Sequence, residues 1–291
     1  MRRLACLVVV VLCLLPAAPA SAAPGPLVMA HRGGAGLWPE NTLEAFKRSV
    51  RLGVDVLEMD VKLTADGVPV VIHDDSLDRT TDCTGLVSER TFAEVQRCDA
   101  GYRFSRDGGR TFLYRGRGLT VPALEIVLRF GRSKGILMNP EIKNLPTDAD
   151  FQVSPEVYTT PIAAAVRESR SQHLVTFASF WPPNLDSIES KLPGIRTALL
   201  TQGLESAPPD GPRFPCLANV AVSAVRGYEV SQPEWTSIDL APCVEVSAAL
   251  GRPVEVWTPD DPAAMAGLAE LGVSGIITNR PDLLLEVLGR R

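Results

Sequence analysis

The chain has 291 residues, 45% of them hydrophobic and 22% charged, and a formal net charge of −5. This acidic balance, with no basic run and no basic amphipathic helix, excludes the electrostatic footprint of a nucleic-acid binder and attraction to an anionic membrane surface. No internal repeat or low-complexity tract divides the sequence, so one compact domain is expected.

The first elements read as an export signal. Arg2-Arg3, the 12-residue apolar run Leu4–Leu15 and the small residues from Pro16 to Ala23 follow the order of a secretory leader with cleavage after Ala22. The apolar run is too short to span a bilayer, which takes about 20 residues. The expectation is a signal peptide at 1–22, a single mature domain at 23–291 and a secreted, extracellular protein without stable membrane insertion. Neither Cys6 nor Cys13 has the setting of a lipid-modified cysteine. Loss of Arg2 and Arg3, with no acid, takes the formal charge from −5 to −7. The remaining span approaches the roughly 250 residues of a single (β/α)8 barrel.

Beyond the leader, apolar runs alternate with helical patterns, the signature of an α/β fold with a mainly parallel sheet. Strands are predicted at Leu27–His31, Val54–Leu63, Val68–His73, Gly135–Ile142, Leu174–Ser179, Ile195–Leu200, Thr236–Leu240, Pro253–Trp257 and Gly275–Thr278. Helices are predicted at Asn41–Leu52, Val121–Phe130, Pro161–Glu168, Pro262–Leu271 and Leu283–Leu288. The first has a start signal at Asn41, a cap residue three before Glu44. Thr80 to Leu119 is rich in Gly, Arg, Thr and Asp and reads as an insertion over a barrel mouth. Gln202 to Pro215 reads as a Pro- and Gly-rich loop.

Four cysteines lie beyond the leader: Cys83, Cys98, Cys216 and Cys243. In an exported chain an even count implies disulfides, with three connectivities open. Proximity along the chain favours Cys83–Cys98 and Cys216–Cys243. None of the spacings suits a structural zinc site.

Asp66-Gly67 is a strong hairpin signal between apolar runs. A two-residue turn there sets Asp60 directly opposite His73, with Cβ atoms about 4.5–5.5 Å apart. Glu58 faces the same way, because strand side chains alternate. The antiparallel arm also explains a ninth strand where a barrel needs eight. Two imidazoles, His31 and His73, with nearby carboxylates and Arg32, can run acid–base chemistry around a metal. His173 is the third histidine and belongs to a loop or strand edge.

The motifs His31-Arg32-Gly33, Pro39-Glu40-Asn41-Thr42, Glu58-Met59-Asp60, His73-Asp74, Leu77-Asp78-Arg79, Asn139-Pro140-Glu141-Ile142-Lys143, Val256-Trp257-Thr258 and Gly275 to Pro281 stand in an order that resembles the glycerophosphodiester phosphodiesterases, in the superfamily that includes phosphatidylinositol-specific phospholipases C. The resemblance implies an irregular TIM (β/α)8 barrel with a small insertion at its mouth. It implies hydrolysis of a small-molecule glycerophosphodiester to sn-glycerol 3-phosphate and an alcohol, with one divalent cation. By the same resemblance Glu58, Asp60 and Glu141 match the metal ligands, His31 and His73 the acid–base pair, Arg32 and Lys143 the phosphate contacts, and Trp257 a position near the substrate. Three carboxylates without cysteine or histidine favour a hard ion, Mg²⁺ or Ca²⁺. Tyr102, Phe104 and Tyr114 in the insertion are candidates to contact the alcohol. The pattern departs from the family at Pro259-Asp260, where valine and asparagine are usual, and at Asn279, where aspartate is usual. Pro140 replaces the common apolar residue before Glu141 and is expected to bend that strand. Two rival readings remain: a phosphodiesterase directed at phospholipid or teichoic acid, and a non-catalytic exported binding protein on the same barrel. The presence of both histidines and all three carboxylates disfavours the second.

Overall fold

The computed structural model describes residues 25–149, 151, 153–202 and 215–291. The leader expected at 1–22 and most of the loop expected at 202–215 lie outside the described residues. Eight parallel strands form a nearly closed barrel: β1 (Leu27–Ala30), β2 (Val56–Leu63), β4 (Leu137–Ile142), β5 (Thr176–Ser179), β6 (Arg196–Thr201), β7 (Val230–Pro233), β8 (Glu255–Trp257) and β9 (Gly275–Thr278). Their order is β7-β6-β5-β4-β2-β1-β9-β8, and parallel bridges Ser231↔Val254 and Glu234↔Trp257 join the ends. The antiparallel β3 (Pro69–Val71) pairs with β2 off this path, which accounts for the ninth strand, and Val70 makes an isolated antiparallel bridge to Ala123.

Alternation along the strands makes two cores. Outward residues such as Val28, Leu57, Met59 and Val61 pack with Leu124, Leu128, Ile162 and Val166 of the surrounding helices. Inward residues form smaller clusters, Met29, Val56 and Ile277 on one side and Ala178, Ala198, Leu200 and Val230 on the other, with Trp257 packed against both. Parallel strands buried on both faces are normally apolar throughout. β2 is buried along its whole length, yet its inward row is Glu58, Asp60 and Lys62. Such charges are costly to bury unless paired or used.

Helix α1 (Leu43–Leu52) is capped one residue later than predicted. Thr42 is the N-cap, its hydroxyl accepting from Ala45 N–H at 3.2 Å, which leaves the Asn41 side chain for another task. The helix predicted from Pro161 starts at Pro155 and runs to Ser169 (α4). The helices α5 (Pro182–Lys191), α6 (Cys216–Arg226) and α7 (Leu240–Ala249) were not predicted. The strand predicted at Thr236–Leu240 is not one; the barrel strand is Val230–Pro233 and α7 starts at Leu240. Its signal is hidden because the strand carries Ser231 and Gln232, both fully buried, beside the apolar Val230.

The hairpin register differs by one residue from the expected one. The ladder pairs Val61 with Val71, Lys62 with Val70 and Leu63 with Pro69. The loop closes through Thr64 N–H to Val68 O (3.1 Å), and Gly67 takes φ 75°. Three residues, not two, make the turn, so Asp60 lies level with Ile72, whose N–H donates to the Asp60 carbonyl at 3.0 Å. A one-residue slip would turn His73 away if the strand continued. It does not: β3 ends at Val71, and the chain beyond it delivers His73 to the barrel mouth by leaving the ladder.

Residues 80–119 carry a short helix, α2 (Phe92–Val95), with a capping box at Thr91 and Glu94. They pack Val87, Val95, Cys98 and Ala100 against Val70 and Ile72 of the β3 arm. The bonds Cys83–Cys98 and Cys216–Cys243 are both formed, as proximity favoured, with Cα separations of 5.6 and 5.7 Å. The second joins α6 to α7.

Candidate active site

The site grows from the C-terminal ends of β1, β2, β4 and β9, where barrel sites form. β1 ends at Ala30 and the chain turns at once through His31, Arg32 and Gly33. Arg32 takes φ 53° and Gly33 φ 76°. A side chain at Gly33 would stand 2.9 Å from Phe46 and 3.0 Å from Ala45, so only glycine lets this turn sit on α1. The turn aims Arg32 N–H at Glu58 Oε2, 2.6 Å away.

Adjacency in the sheet then gathers the acids. Asp60 on β2 is in register with Glu141 on β4, and Glu58 is two residues before Asp60 on the same face. One ligand oxygen from each of Glu58, Asp60 and Glu141 lies within 4.8 Å of the others, and all three residues are buried. Pro140 lies within β4 and stays in register with Met59, without breaking the strand. Asn41, also at positive φ, donates from Nδ2 to Asp60 Oδ2 at 2.8 Å. Arg32 Nε lies 3.3 Å from the same oxygen, and its Nη1 donates to Glu40 Oε1 at 3.0 Å. Asp60 Oδ1 is buried and has no hydrogen-bond partner among the described residues.

Lys143, one residue past β4, donates from Nζ to Glu141 Oε1 and to His73 Nε2, each at 3.2 Å. His73 Nδ1 donates to Asp74 Oδ1 at 2.7 Å. Asp74 is held by Arg79 Nε at 2.6 Å, and Arg79 reaches Glu40 at 2.7 and 2.8 Å, which closes a chain of charges back to Arg32. Across the mouth, His31 Nδ1 lies 2.7 Å from Asn279 Oδ1.

The electrostatics divide the acids. Burial, reinforced by the charges of Asp60 and Glu141, pushes the Glu58 carboxyl well above its usual range. Burial works the same way on Asp60, but His73 once protonated, Arg32 and Lys143 outweigh it and hold that group well below the ordinary carboxylate range. Burial and then the adjacent Arg32 charge lower His31 to about 4. Burial also opposes the Lys143 charge, yet Glu141 and Asp60 raise its basicity overall.

Of the residues singled out from the sequence, His31, Arg32, Glu58, Asp60, His73, Glu141 and Lys143 converge at this mouth, and Trp257 stands at the end of β8. Trp257 donates from Nε1 to Gln232 O at 3.0 Å and meets Phe180 edge-on with centroids 5.5 Å apart, the packing of an interior tryptophan. Within the insertion Arg115 lies over the Tyr102 ring, and Phe104 meets Tyr114 edge-on. His173 is exposed in a 3-10 turn. From the sequence, Asn41 is a helix cap or, with Glu40, a support of the first loop, whereas Asp74, Arg79, Asp260 and Asn279 carry no expected role as partners of the site. Asp74 follows His73 directly, and positions 260 and 279 were departures from the family pattern; those were the available signals.

An eight-stranded parallel barrel with two imidazoles and three convergent carboxylates at the C-terminal ends of its strands has the architecture of a TIM-barrel hydrolase. The chain belongs to the glycerophosphoryl diester phosphodiesterase family, whose model matches residues 31–283. It is 34% identical over 263 residues to the glycerophosphodiester phosphodiesterase of Caldanaerobacter subterraneus subsp. tengcongensis, covering 90% of this chain and 97% of that one. The crystal structure of the glycerophosphodiester phosphodiesterase from Agrobacterium tumefaciens superposes with a TM-score of 0.70 at 26% identity, covering 90% of this chain and 99% of that one. A phosphodiesterase from Oleispira antarctica, solved in complex with the product sn-glycerol-3-phosphate, superposes with a TM-score of 0.76 at 25% identity, covering 91% and 97%.

Proposed function

We propose that this protein is an exported, cation-dependent glycerophosphodiester phosphodiesterase that cleaves glycerophosphodiesters to sn-glycerol 3-phosphate and an alcohol. The observation that carries the reading is the convergence of Glu58, Asp60 and Glu141 beside two imidazoles. The product bound in the Oleispira antarctica relative supports the substrate class. Export rests on the leader-like residues 1–22, and N-terminal sequencing of the protein from culture medium is expected to begin at Ala23.

The residues fit a hard divalent ion, Mg²⁺ or Ca²⁺. Their donors are oxygens only, and Asp60 Oδ1 is buried without a hydrogen-bond partner among the described residues, a cost of about 1–3 kcal/mol unless a ligand meets it. Glu58, Asp60 and Glu141 would hold the ion, which when bound would neutralise charge on the phosphoryl group.

The side chains do the rest. Hydrolysis forms a bond from the incoming oxygen to phosphorus and breaks the bond to the alcohol oxygen. One imidazole takes the proton from the incoming oxygen and the other returns one to the departing oxygen, a contribution of about 10²–10⁴-fold. Asp74 fixes the ring of His73, and Asn279 that of His31. Arg32 brings a planar fork and Lys143 a point charge to the phosphate oxygens. Trp257 at the end of β8 gives the glycerol carbons an apolar surface.

Purified protein with Mg²⁺ or Ca²⁺ is expected to release glycerol 3-phosphate from glycerophosphocholine and to lose that activity in EDTA. Failure to release it under either ion, with EDTA making no difference, would overturn the reading.

A further inference from the structure

Asp260 lies between β8 and the helix α8 (Pro262–Leu271), yet it does not cap that helix. Asp261 does, accepting from Ala264 N–H at 2.9 Å. Asp260 instead reaches across to the end of β9. Its Oδ1 accepts from Thr278 Oγ1 and from Asn279 N–H, both at 2.9 Å, and its Oδ2 accepts from Asn279 Nδ2 at 2.7 Å.

This arrangement settles a question of donors and acceptors. An ionised carboxylate only accepts, so the end of the Asn279 amide that faces Asp260 must be the NH₂ group. The amide is planar, which leaves its oxygen for His31 Nδ1, 2.7 Å away. An amide oxygen also only accepts, so His31 Nδ1 must carry the hydrogen. In the neutral ring, Nε2 then holds the lone pair. A carboxylate at 260 therefore decides, through one amide, which nitrogen of His31 is the basic one. The two departures from the family pattern, at 260 and 279, face each other.

We propose that Asp260 is a positioning residue for the phosphodiesterase reaction, locking the Asn279 amide in one orientation so that His31 presents an unprotonated Nε2 to the incoming oxygen. The inference rests on the reading of His31 as a proton-transfer residue. Without the carboxylate, two amides face each other, and Asn279 can turn its NH₂ group toward His31 Nδ1. That ring nitrogen would then have to accept, the hydrogen would move to Nε2, and the proton acceptor would be lost.

The test uses the full chain in Mg²⁺, with ¹⁵N-labelled histidine and glycerophosphocholine as substrate. In the unaltered protein the His31 resonances are expected to report the Nδ1–H form. Asp260→Asn is expected to shift His31 toward the Nε2–H form and to lower kcat about 10²-fold, with KM within about threefold. The double variant Asp260→Asn/Asn279→Asp exchanges carboxylate and amide between the two positions and restores every donor–acceptor match. It is expected to return His31 to Nδ1–H and kcat to within about tenfold of the parent. A purely structural tie between β8 and β9 would lower stability without moving the tautomer. An Nε2–H ring in the unaltered protein overturns the proposal with no variant needed. So does a tautomer unchanged by Asp260→Asn, or a double variant no better than the single one. If the parent released no glycerol 3-phosphate, the functional reading would fall, while the spectra would still decide whether Asp260 governs the ring.

Discussion

At the scale of single residues, the two imidazoles differ in what holds them. His73 leans on a carboxylate within a chain of ion pairs, and His31 on a neutral amide. His31→Ala and His73→Ala are each expected to lower kcat by about 10²–10⁴-fold while leaving the melting temperature nearly unchanged, because neither ring belongs to the apolar clusters. Glu141→Gln removes one of three converging oxygens, and calorimetric titration with Mg²⁺ or Ca²⁺ should show affinity reduced about tenfold or more. A quieter residue tests pH linkage. Glu255 is buried inside the barrel, where Gln232 Nε2 donates to it at 2.7 Å, and burial pushes its carboxyl above the usual range. Such a group binds its proton more tightly folded than unfolded. The stability it provides is thus present below about pH 4.3 and is lost as pH rises through its folded value. Glu255→Gln should flatten that decline, and its new NH₂ can meet Gln232 Oε1, which has no hydrogen-bond partner among the described residues. Melting curves between pH 4 and 8 should show the variant gaining at neutral pH, by roughly 2–4 °C for each kcal/mol recovered.

At the scale of elements, the turn after β1 is the most constrained. Gly33→Ala must relieve a Cβ pressed on Phe46 and Ala45 at positive φ, and urea unfolding should show a loss of about 1–3 kcal/mol. Arg32 and His31 ride on the same turn, so kcat/KM should fall as well. These local features were legible in the chain to differing degrees. The apolar strands β1, β2 and β4 could be read directly, and with them the face shared by Glu58 and Asp60. β7 could not, because its buried residues Ser231 and Gln232 look like surface residues in one dimension. The hairpin was read from Asp66-Gly67 as a two-residue turn, whereas Thr64 closes a longer loop from both backbone and side chain. His73 reached its predicted neighbours by a different path, since the strand stops before it. Asn41 was legible as a helix start but not as the partner of Asp60, a contact between residues 19 apart that only the barrel creates.

At the scale of the whole molecule, the chemistry is rooted in strands while the rim is assembled from pieces fastened to them. The Cys83–Cys98 bond closes a loop with a sequence separation of 15, for which chain entropy alone predicts about 3 kcal/mol. Cys83→Ser/Cys98→Ser should therefore speed amide hydrogen exchange in residues 80–119 ahead of the barrel strands. Residues 80–119 seat on β3, which pairs with β2 and lies off the path of the closed sheet. The barrel hydrogen bonds run directly from β2 to β4 beneath it. That geometry makes the rim a replaceable module: a graft of different length between Thr81 and Val121 would leave the acids on β2 and β4, and Asp74 and Arg79 beside His73, where they are, so the rim can change length while the carboxylates and imidazoles keep their places.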